Sequence, residues 1–274
     1  MSNKPGLYDL LIDRKVEESL KALPGHYRKA LEDISDDELP IRIRELVGNW
    51  LEETIRRIPA GQDRTRVALE LCERLHRTMS ASDPDALTDQ HIPARPLQRL
   101  AAIEQVDPAG QTLHITRPIT PLRQTTLFTN RPEQPNVISA LSSEIESSDR
   151  IDAVLAFITW NGVRLLINEL QRHIEKGLKL RIITTTYLQF TELRALEELQ
   201  NLGAEIKVSY DTTSTRLHAK AWMFHRSTSF PTIYIGSSNL TKQAQVTGKE
   251  WNVRASAHVN PELVNAFVLG FNEY

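Results

Sequence analysis

The feature that most constrains this chain is the alternation of strand and helix patterns that follows Pro135. Apolar runs typical of buried strands lie at 151–158, 178–185 and 204–210. Between them, residues 162–175 and 192–201 place apolar side chains at helical spacing. Strands that alternate with helices predict crossover connections, and therefore neighbouring strands that run parallel.

The pattern changes towards the end of the chain. Residues 218–225 and 232–236 follow each other closely enough to predict an antiparallel pair of strands. A strand at 251–257 and a helix from Pro261 complete the series. We therefore predict an α/β fold with a mixed, mostly parallel sheet flanked by helices.

The first part of the chain differs in composition and periodicity. Its first 80 residues place apolar side chains three and four positions apart, which is typical of amphipathic helices. Eight of the fourteen prolines then fall between residues 84 and 135. These patterns predict a helical accessory region with a proline-rich linker over 1–120, and an α/β domain over 121–274.

Composition excludes several classes of protein. The chain is 40% apolar and 25% charged, as globular proteins are. It has no run of 18 apolar residues and no basic, then apolar leader, so we expect a cytoplasmic protein without a membrane partner. The single Cys72 supports neither a disulfide framework nor a cysteine zinc site. With a net charge of −2, any contact with nucleic acid is expected at a local patch.

Chemistry-bearing residues cluster in the last third of the chain. His218 and Lys220 lie two apart in a predicted strand and therefore share a face. The small residues of the turn from Gly236 to Asn239 would let an anion approach the backbone. Glu250 begins the next strand. A nucleophilic histidine, cationic and polar clamps, and a carboxylate that orients the imidazole form a set for phosphoryl transfer without a metal or other cofactor.

These residues resemble the motif of the phospholipase D superfamily, His-x-Lys followed by Gly-Ser-x-Asn. The resemblance implies that His218, Lys220, Asn239 and Glu250 are catalytic, and that Ser237 binds the phosphate. Glu250 lies eleven residues past Asn239, where nuclease members carry the glutamate that pairs with histidine. His225 stands where the superfamily usually has Asp.

A second resemblance is more specific. Residues 140–257 are similar to the phospholipase D-like module at the N-terminus of certain bacterial superfamily-two helicases, some of which also place His at the position of His225. The opening MSNKPGLYDLLID is similar to theirs as well. The resemblance implies a nuclease acting on DNA, either with a helicase motor downstream or as a stand-alone relative.

Superfamily enzymes use two such motifs that face each other, whereas this chain has one. The resemblance therefore implies a homodimer that brings two His218 side chains together. Three functions stay open: a DNA phosphodiesterase, a DNA-binding or dimerisation module of a helicase without catalysis, and a lipid phosphodiesterase, for which no amphipathic membrane-surface segment is found.

Several residues allow a functional and a structural interpretation. Arg216 and Arg226 flank the predicted strand and would contact a phosphate backbone, or lie on an ordinary surface. Ser238 would bind the substrate or cap a helix. Trp160, Trp222 and Trp251 would stack on bases or pack in the core. No metal site is predicted.

Overall fold

The computed structural model describes residues 7–26, 28–83, 87–131, 135–211, 213, 216–244 and 249–274. The chain divides into two compact units, Met1–Ala101 and Ala102–Tyr274. The boundary predicted between residues 120 and 121 lies inside the second unit. Residues just before it already pack with the sheet domain, because Thr120 is buried and the Ile119 amide donates to the Ser143 hydroxyl.

In the described residues of the first unit, the helices are α1 (Arg14–Lys21), α2 (Leu39–Arg57), α3 (Gln62–Ser82) and a short 3-10 helix, Asp89–His91. Its predicted helical character is confirmed. Among the described residues of this unit, however, Leu69 is the one apolar side chain that is buried. The amphipathic faces stay largely exposed because so few helices cannot enclose a common interior.

The second unit begins with a hairpin, β1 (Gln105–Val106) and β2 (Thr112–Leu113), and continues as a seven-stranded sheet. The strands of that sheet are β3 (Thr126–Phe128), β4 (Arg150–Leu155), β5 (Lys179–Thr185), β6 (Glu205–Ser209), β7 (Lys220–His225), β8 (Thr232–Gly236) and β9 (Asn252–Ser256). Across the sheet they follow the order β3-β9-β8-β7-β4-β5-β6.

The predicted α/β fold with a mixed sheet is confirmed, but most strand pairings are not parallel. Strand β4 pairs parallel with β5, and β5 with β6. The other four pairings in the described sheet are antiparallel. Five strands still run in one direction. The two that run against them, β7 and β9, each lie between strands of the opposite direction, and a short connection joins β7 to β8.

Helices cover both faces of this sheet. They are α4 (Val137–Glu146), α5 (Trp160–Val163), α6 (Ile167–Glu175), α7 (Leu193–Leu202) and α8 (Pro261–Asn272), with a 3-10 helix at Tyr187–Gln189. Apolar side chains of α4, α6 and α7 pack with those of β4, β5, β7 and β8 in the main core. On the opposite face, α8 packs against Met223, Ile233 and Ala255. In the described ranges, none of the helices is both long and apolar enough to cross a bilayer.

A buried ion cluster joins α4 to the sheet. The fully buried Glu144 carboxylate accepts hydrogen bonds from the guanidinium groups of Arg226 and Arg254. It also accepts from the hydroxyls of Thr232 and Tyr234. Burial and the charge of Glu144 raise the pKa of Tyr234 well above its ordinary value. Because a buried charge is tolerated only when it is paired, α4 is held to β8 and β9 at this point.

Arg254 extends this cluster to the first strand of the sheet. The side chain is fully buried, and its Nη1 donates to the main-chain oxygens of Pro121 and Gln124. These carbonyls lie just before β3. The same arginine therefore fixes the segment that leads into the edge strand.

Replacing Glu144 with Ala should lower the free energy of unfolding by about 3–5 kcal/mol, since two buried guanidinium groups lose their counter-charge. Urea denaturation followed by tryptophan fluorescence measures the change. The matched control is Glu146→Ala on the same helix, where the ion pair with Arg172 is partly exposed. It should cost no more than about 1 kcal/mol. Equal losses for the two variants would contradict the role given to Glu144.

Candidate active site

The residues predicted to be catalytic lie at one end of the central strands. Strand β4 ends at Leu155, opposite Lys220, where the antiparallel β7 begins. Strand β8 ends at Gly236, opposite Asn252, where β9 begins. His218 lies just before β7 rather than within the predicted strand, and the main chain between it and Lys220 still follows β4, since the Ala156 amide donates to the Ala219 oxygen.

His218 and Lys220 are in direct contact. The Lys220 Nζ lies 3.1 Å from Nδ1 of the exposed His218 ring and donates to the His218 main-chain oxygen at 2.9 Å. Burial lowers the pKa of the Lys220 ammonium group, and the negative charge of Glu250 opposes that shift. The imidazole thus has a cation beside it and solvent in front of it, which suits an anionic substrate.

Phe157 links the histidine to the turn that contains Asn239. Its ring meets the His218 ring edge to face, with centroids 5.6 Å apart. Its amide donates to Asn239 Oδ1 at 3.2 Å, and its carbonyl accepts from the Leu240 amide at 3.1 Å. Sequence reasoning missed this residue. The sequence feature that could have indicated Phe157 is its position directly after the buried apolar run of β4, at the carboxyl end of that strand.

Gly236 lets strands β8 and β9 approach each other closely at the site. A Cβ atom built on Gly236 would lie 2.2 Å from the Trp251 carbonyl oxygen and 2.7 Å from the Asn252 Cα. Both are backbone atoms that cannot move aside cheaply. The glycine of the motif is therefore required by packing between strands at this point.

Glu250 and Ser237 form a pair next to Lys220. The Ser237 hydroxyl donates to the Glu250 carboxylate, and the Trp251 amide donates to Ser237 Oγ at 3.1 Å. Within the described chain, this carboxylate makes no hydrogen bond to His218, which is the partner that the motif resemblance implies. The glutamate is instead positioned between the serine and the lysine ammonium group.

The structure places the other predicted substrate contacts differently. Ser238 is buried and accepts from Asn252 Nδ2 at 2.7 Å, so it joins two strands. The Arg226 side chain is 5% exposed, and its guanidinium pairs with Glu144 in the buried cluster. The prediction that Arg226 contacts substrate is therefore corrected, because this guanidinium is buried and already paired. Arg216 is exposed and lies over the Tyr187 ring, 5.6 Å from its centroid.

The tryptophans also separate. Trp222 lies in the main core, and Trp160 is half-buried beneath the Arg194 guanidinium. Only Trp251 of the three is exposed, and it lies next to Glu250. Across the described ranges, no group of three or more His, Cys, Asp or Glu side chains is placed to hold a metal ion.

His225, at the position of the superfamily's usual Asp, lies at the opposite end of β7 from Lys220. Its Nε2 is 2.7 Å from an oxygen of the buried Asp152. Arg181 binds the same carboxylate at two points, each 2.7 Å long. His225 is therefore part of an ion cluster that stabilises the sheet, and its contacts do not reach His218.

Comparison with known proteins finds a family model that matches part of the chain. Residues 141–273 match the family model described as "Cardiolipin synthase, PLD-like domain". The matched stretch runs from within α4 to just past the end of α8, and it contains His218, Lys220, Asn239 and Glu250.

Several solved structures match the chain at low sequence identity. NucT from Helicobacter pylori is 14% identical, with a TM-score of 0.44, over 55% of this chain and 96% of its own. Nuc from Salmonella typhimurium, a phospholipase D family member, is 18% identical, with a TM-score of 0.41, over 55% and 93%. The yeast tyrosyl-DNA phosphodiesterase is 11% identical, with a TM-score of 0.34, over 48% and 31%. None of the curated proteins compared with the chain matches it. Similarity at this level carries no information about a substrate.

The Asp152 cluster predicts a specific acid sensitivity. Burial alone would raise the pKa of Asp152, but hydrogen bonds from His225 and Arg181 lower it from 3.8 to about 2. The carboxylate therefore stabilises the fold fully above pH 3.8, and this contribution, about 2 kcal/mol, disappears as the pH falls through about 2. We expect urea denaturation to show a smaller loss of stability between about pH 5 and pH 2 in Asp152→Asn than in the wild type. If the free energy of unfolding fell by the same amount with pH in both proteins, the role given to Asp152 would be contradicted.

Proposed function

We propose that this chain is a metal-independent phosphodiesterase that cuts DNA through a phosphohistidine, as the nuclease module of a helicase-linked defence or DNA-processing protein. The observation that carries the proposal is the contact between Lys220 Nζ and the exposed His218 ring, at 3.1 Å. This contact supports the proposal, because an ammonium group beside the ring would pair with a phosphate oxygen if the imidazole approached phosphorus. The match of residues 141–273 to a phospholipase D-like domain supports the same chemistry.

In the first step, a ring nitrogen of His218 attacks phosphorus, and a nitrogen–phosphorus bond forms while the bond to the leaving oxygen breaks. That oxygen needs a proton. In the described chain, no second histidine lies beside the first, so the proton would come from His218 of the partner subunit in a homodimer. In the second step, the same partner imidazole accepts a proton from water, whose oxygen displaces the histidine from phosphorus.

The surrounding groups have separate roles in this proposal. The Lys220 ammonium group and the Asn239 side-chain amide bind the non-bridging oxygens, and both groups contact Phe157 at the end of β4. Ser237 donates to the phosphate once substrate displaces its contact with Glu250. The released carboxylate is then available to orient an imidazole and fix its tautomer.

DNA as the substrate, and a helicase as the partner, rest on the resemblance of residues 140–257 to the helicase-linked module. Arg216 supports a polyanionic substrate, because its exposed guanidinium lies two residues before His218. The net charge of −2 means that such contacts act locally.

The second candidate is a DNA-binding or dimerisation module that does not cleave. It is favoured by the contact of Glu250 with Ser237, because among the residues that the structure describes no carboxylate then bonds to the His218 ring. Salt-sensitive DNA binding without any cleavage would establish it.

Replacing His218 with Ala should abolish cleavage of DNA, since it removes the nucleophile, whereas EDTA should leave the wild-type rate unchanged. The test is a gel assay with end-labelled single- and double-stranded DNA. Denaturing gels of the wild type should also show label transferred to the protein. The control is His258→Ala, an exposed histidine outside the site, which should keep the full rate. Cleavage that needs magnesium, or that persists in His218→Ala, would contradict the proposed mechanism.

The homodimer makes a separate prediction about mixed subunits. If each site needs two His218 side chains, refolding equal amounts of wild type and His218→Ala together should leave about one quarter of the wild-type activity, since only doubly wild-type dimers work. Chains that act alone would leave about one half. Sedimentation of the same samples measures their oligomeric state.

A further inference from the structure

The loop between β5 and α7 lies beside the site and has unusual backbone geometry. Leu188 and Gln189 both have positive φ, at 58° and 56°, which is rare for residues other than glycine. Hydrogen bonds maintain this conformation. The Tyr187 amide donates to the Thr185 hydroxyl at 3.1 Å, and the Gln189 amide donates to the Thr186 carbonyl at 3.0 Å. Such conformations persist where the surroundings fix them, and they cluster at functional sites.

This loop is also tied directly to the strand that leads into the site. The Thr191 hydroxyl donates to the Ala156 carbonyl at 3.2 Å, and the Glu192 amide donates to the Ile158 carbonyl at 2.9 Å. Both acceptors are neighbours of Phe157. The same short segment after β4 therefore holds both the loop and the Phe157 ring that contacts His218.

The fixed conformation presents an aromatic side chain to solvent. Phe190 is 59% exposed. Its ring meets Phe157 edge to face, with centroids 5.3 Å apart, and Phe157 in turn meets His218. An exposed ring thus lies one aromatic side chain away from the nucleophile.

A cation accompanies this ring. The Arg216 guanidinium lies over the ring of Tyr187, which begins the same loop. The face of the tyrosine holds the cation in place, while the arginine side chain stays exposed. The loop therefore combines an aromatic face for a base with a positive charge for a phosphate.

We propose that Phe190 stacks on an unpaired base next to the phosphate held at His218, so that the preferred substrate is single-stranded nucleic acid. This inference rests on the proposed function and names its substrate class. A duplex keeps its bases stacked inside the helix, whereas a single strand offers their faces to an aromatic ring. Stacking does not depend on base identity, so the site would tolerate any sequence.

The first experiment measures binding of a fluorescein-labelled 20-nucleotide oligothymidine by anisotropy, in a His218→Ala background so that no strand is cut. Adding Phe190→Ala should raise the Kd for this strand roughly 5- to 150-fold, the factor that corresponds to about 1–3 kcal/mol per stacked base. Phe190→Trp should restore binding. The matched control is Leu269→Ala, since Leu269 is a similarly exposed apolar residue (68%) on α8.

Salt dependence separates stacking from charge. Because Phe190 makes no ionic contact, Phe190→Ala should leave the slope of log Kd against log salt unchanged. Arg216→Ala should reduce the magnitude of that slope by about 0.7, the value for one phosphate contact on a single strand.

A second measurement needs no substitution in the loop and so does not depend on how a variant folds. Oligothymidines with one abasic nucleotide, moved along the strand, should bind more weakly at one position in the Phe190-containing protein. The stacking proposal is overturned if the affinity is the same wherever the abasic nucleotide lies. It is also overturned if Phe190→Ala leaves the Kd unchanged, or if Leu269→Ala raises the Kd as much as Phe190→Ala does.

These outcomes are distinguishable from failure of the proposed function. If the wild type binds the strand through Phe190 but never cuts it, the stacking site stands and the nuclease proposal fails. If the wild type cuts DNA and Phe190→Ala changes neither binding nor cleavage, the nuclease proposal stands and the stacking site fails. A chain that neither binds nor cuts nucleic acid contradicts both.

Discussion

The antiparallel placement of β7 between β4 and β8 is the constraint on which the site depends. Because β7 runs against its neighbours, its beginning lies beside their ends, and His218 and Lys220 meet Phe157 and the turn from Gly236 to Asn239. A parallel β7 would place the same histidine at the other end of the sheet. Main-chain hydrogen bonds of Phe157 then fix the distance between strand and turn, so the geometry rests on backbone contacts rather than on long side chains.

Two buried ion clusters stabilise this arrangement from opposite faces of the sheet. Glu144 pairs with Arg226 and Arg254 beneath α4, and Asp152 pairs with Arg181 and His225 on the face that α8 covers. Charges are costly inside a protein unless their partners remain in place, so each cluster penalises any shift of the strands that bear it. His225 belongs to the second cluster, where it stabilises the fold at the opposite end of β7 from Lys220.

The surroundings of the His218 ring are aromatic as well as cationic. Phe157 and Phe190 extend from the ring in one direction, and Lys220 lies against it in another. A phosphodiester strand has the same two components, flat bases and charged phosphates. This correspondence links the conformation of the loop after β5 to the chemistry proposed at the histidine.

Local patterns in the sequence determined the α/β class, most of the strands and the positions of His218, Lys220 and Asn239, because periodicity and short spacings report on neighbours along the chain. They did not reveal that most pairings are antiparallel, and they missed the short β3, whose three residues carry little periodic signal. Nor did they show that Arg226 is buried, that Glu250 contacts Ser237, or that Phe157 joins the site. The sequence by itself determined which residue types and local elements are present, whereas the tertiary structure alone decided which charges pair and which rings meet, since those contacts join residues far apart in the chain.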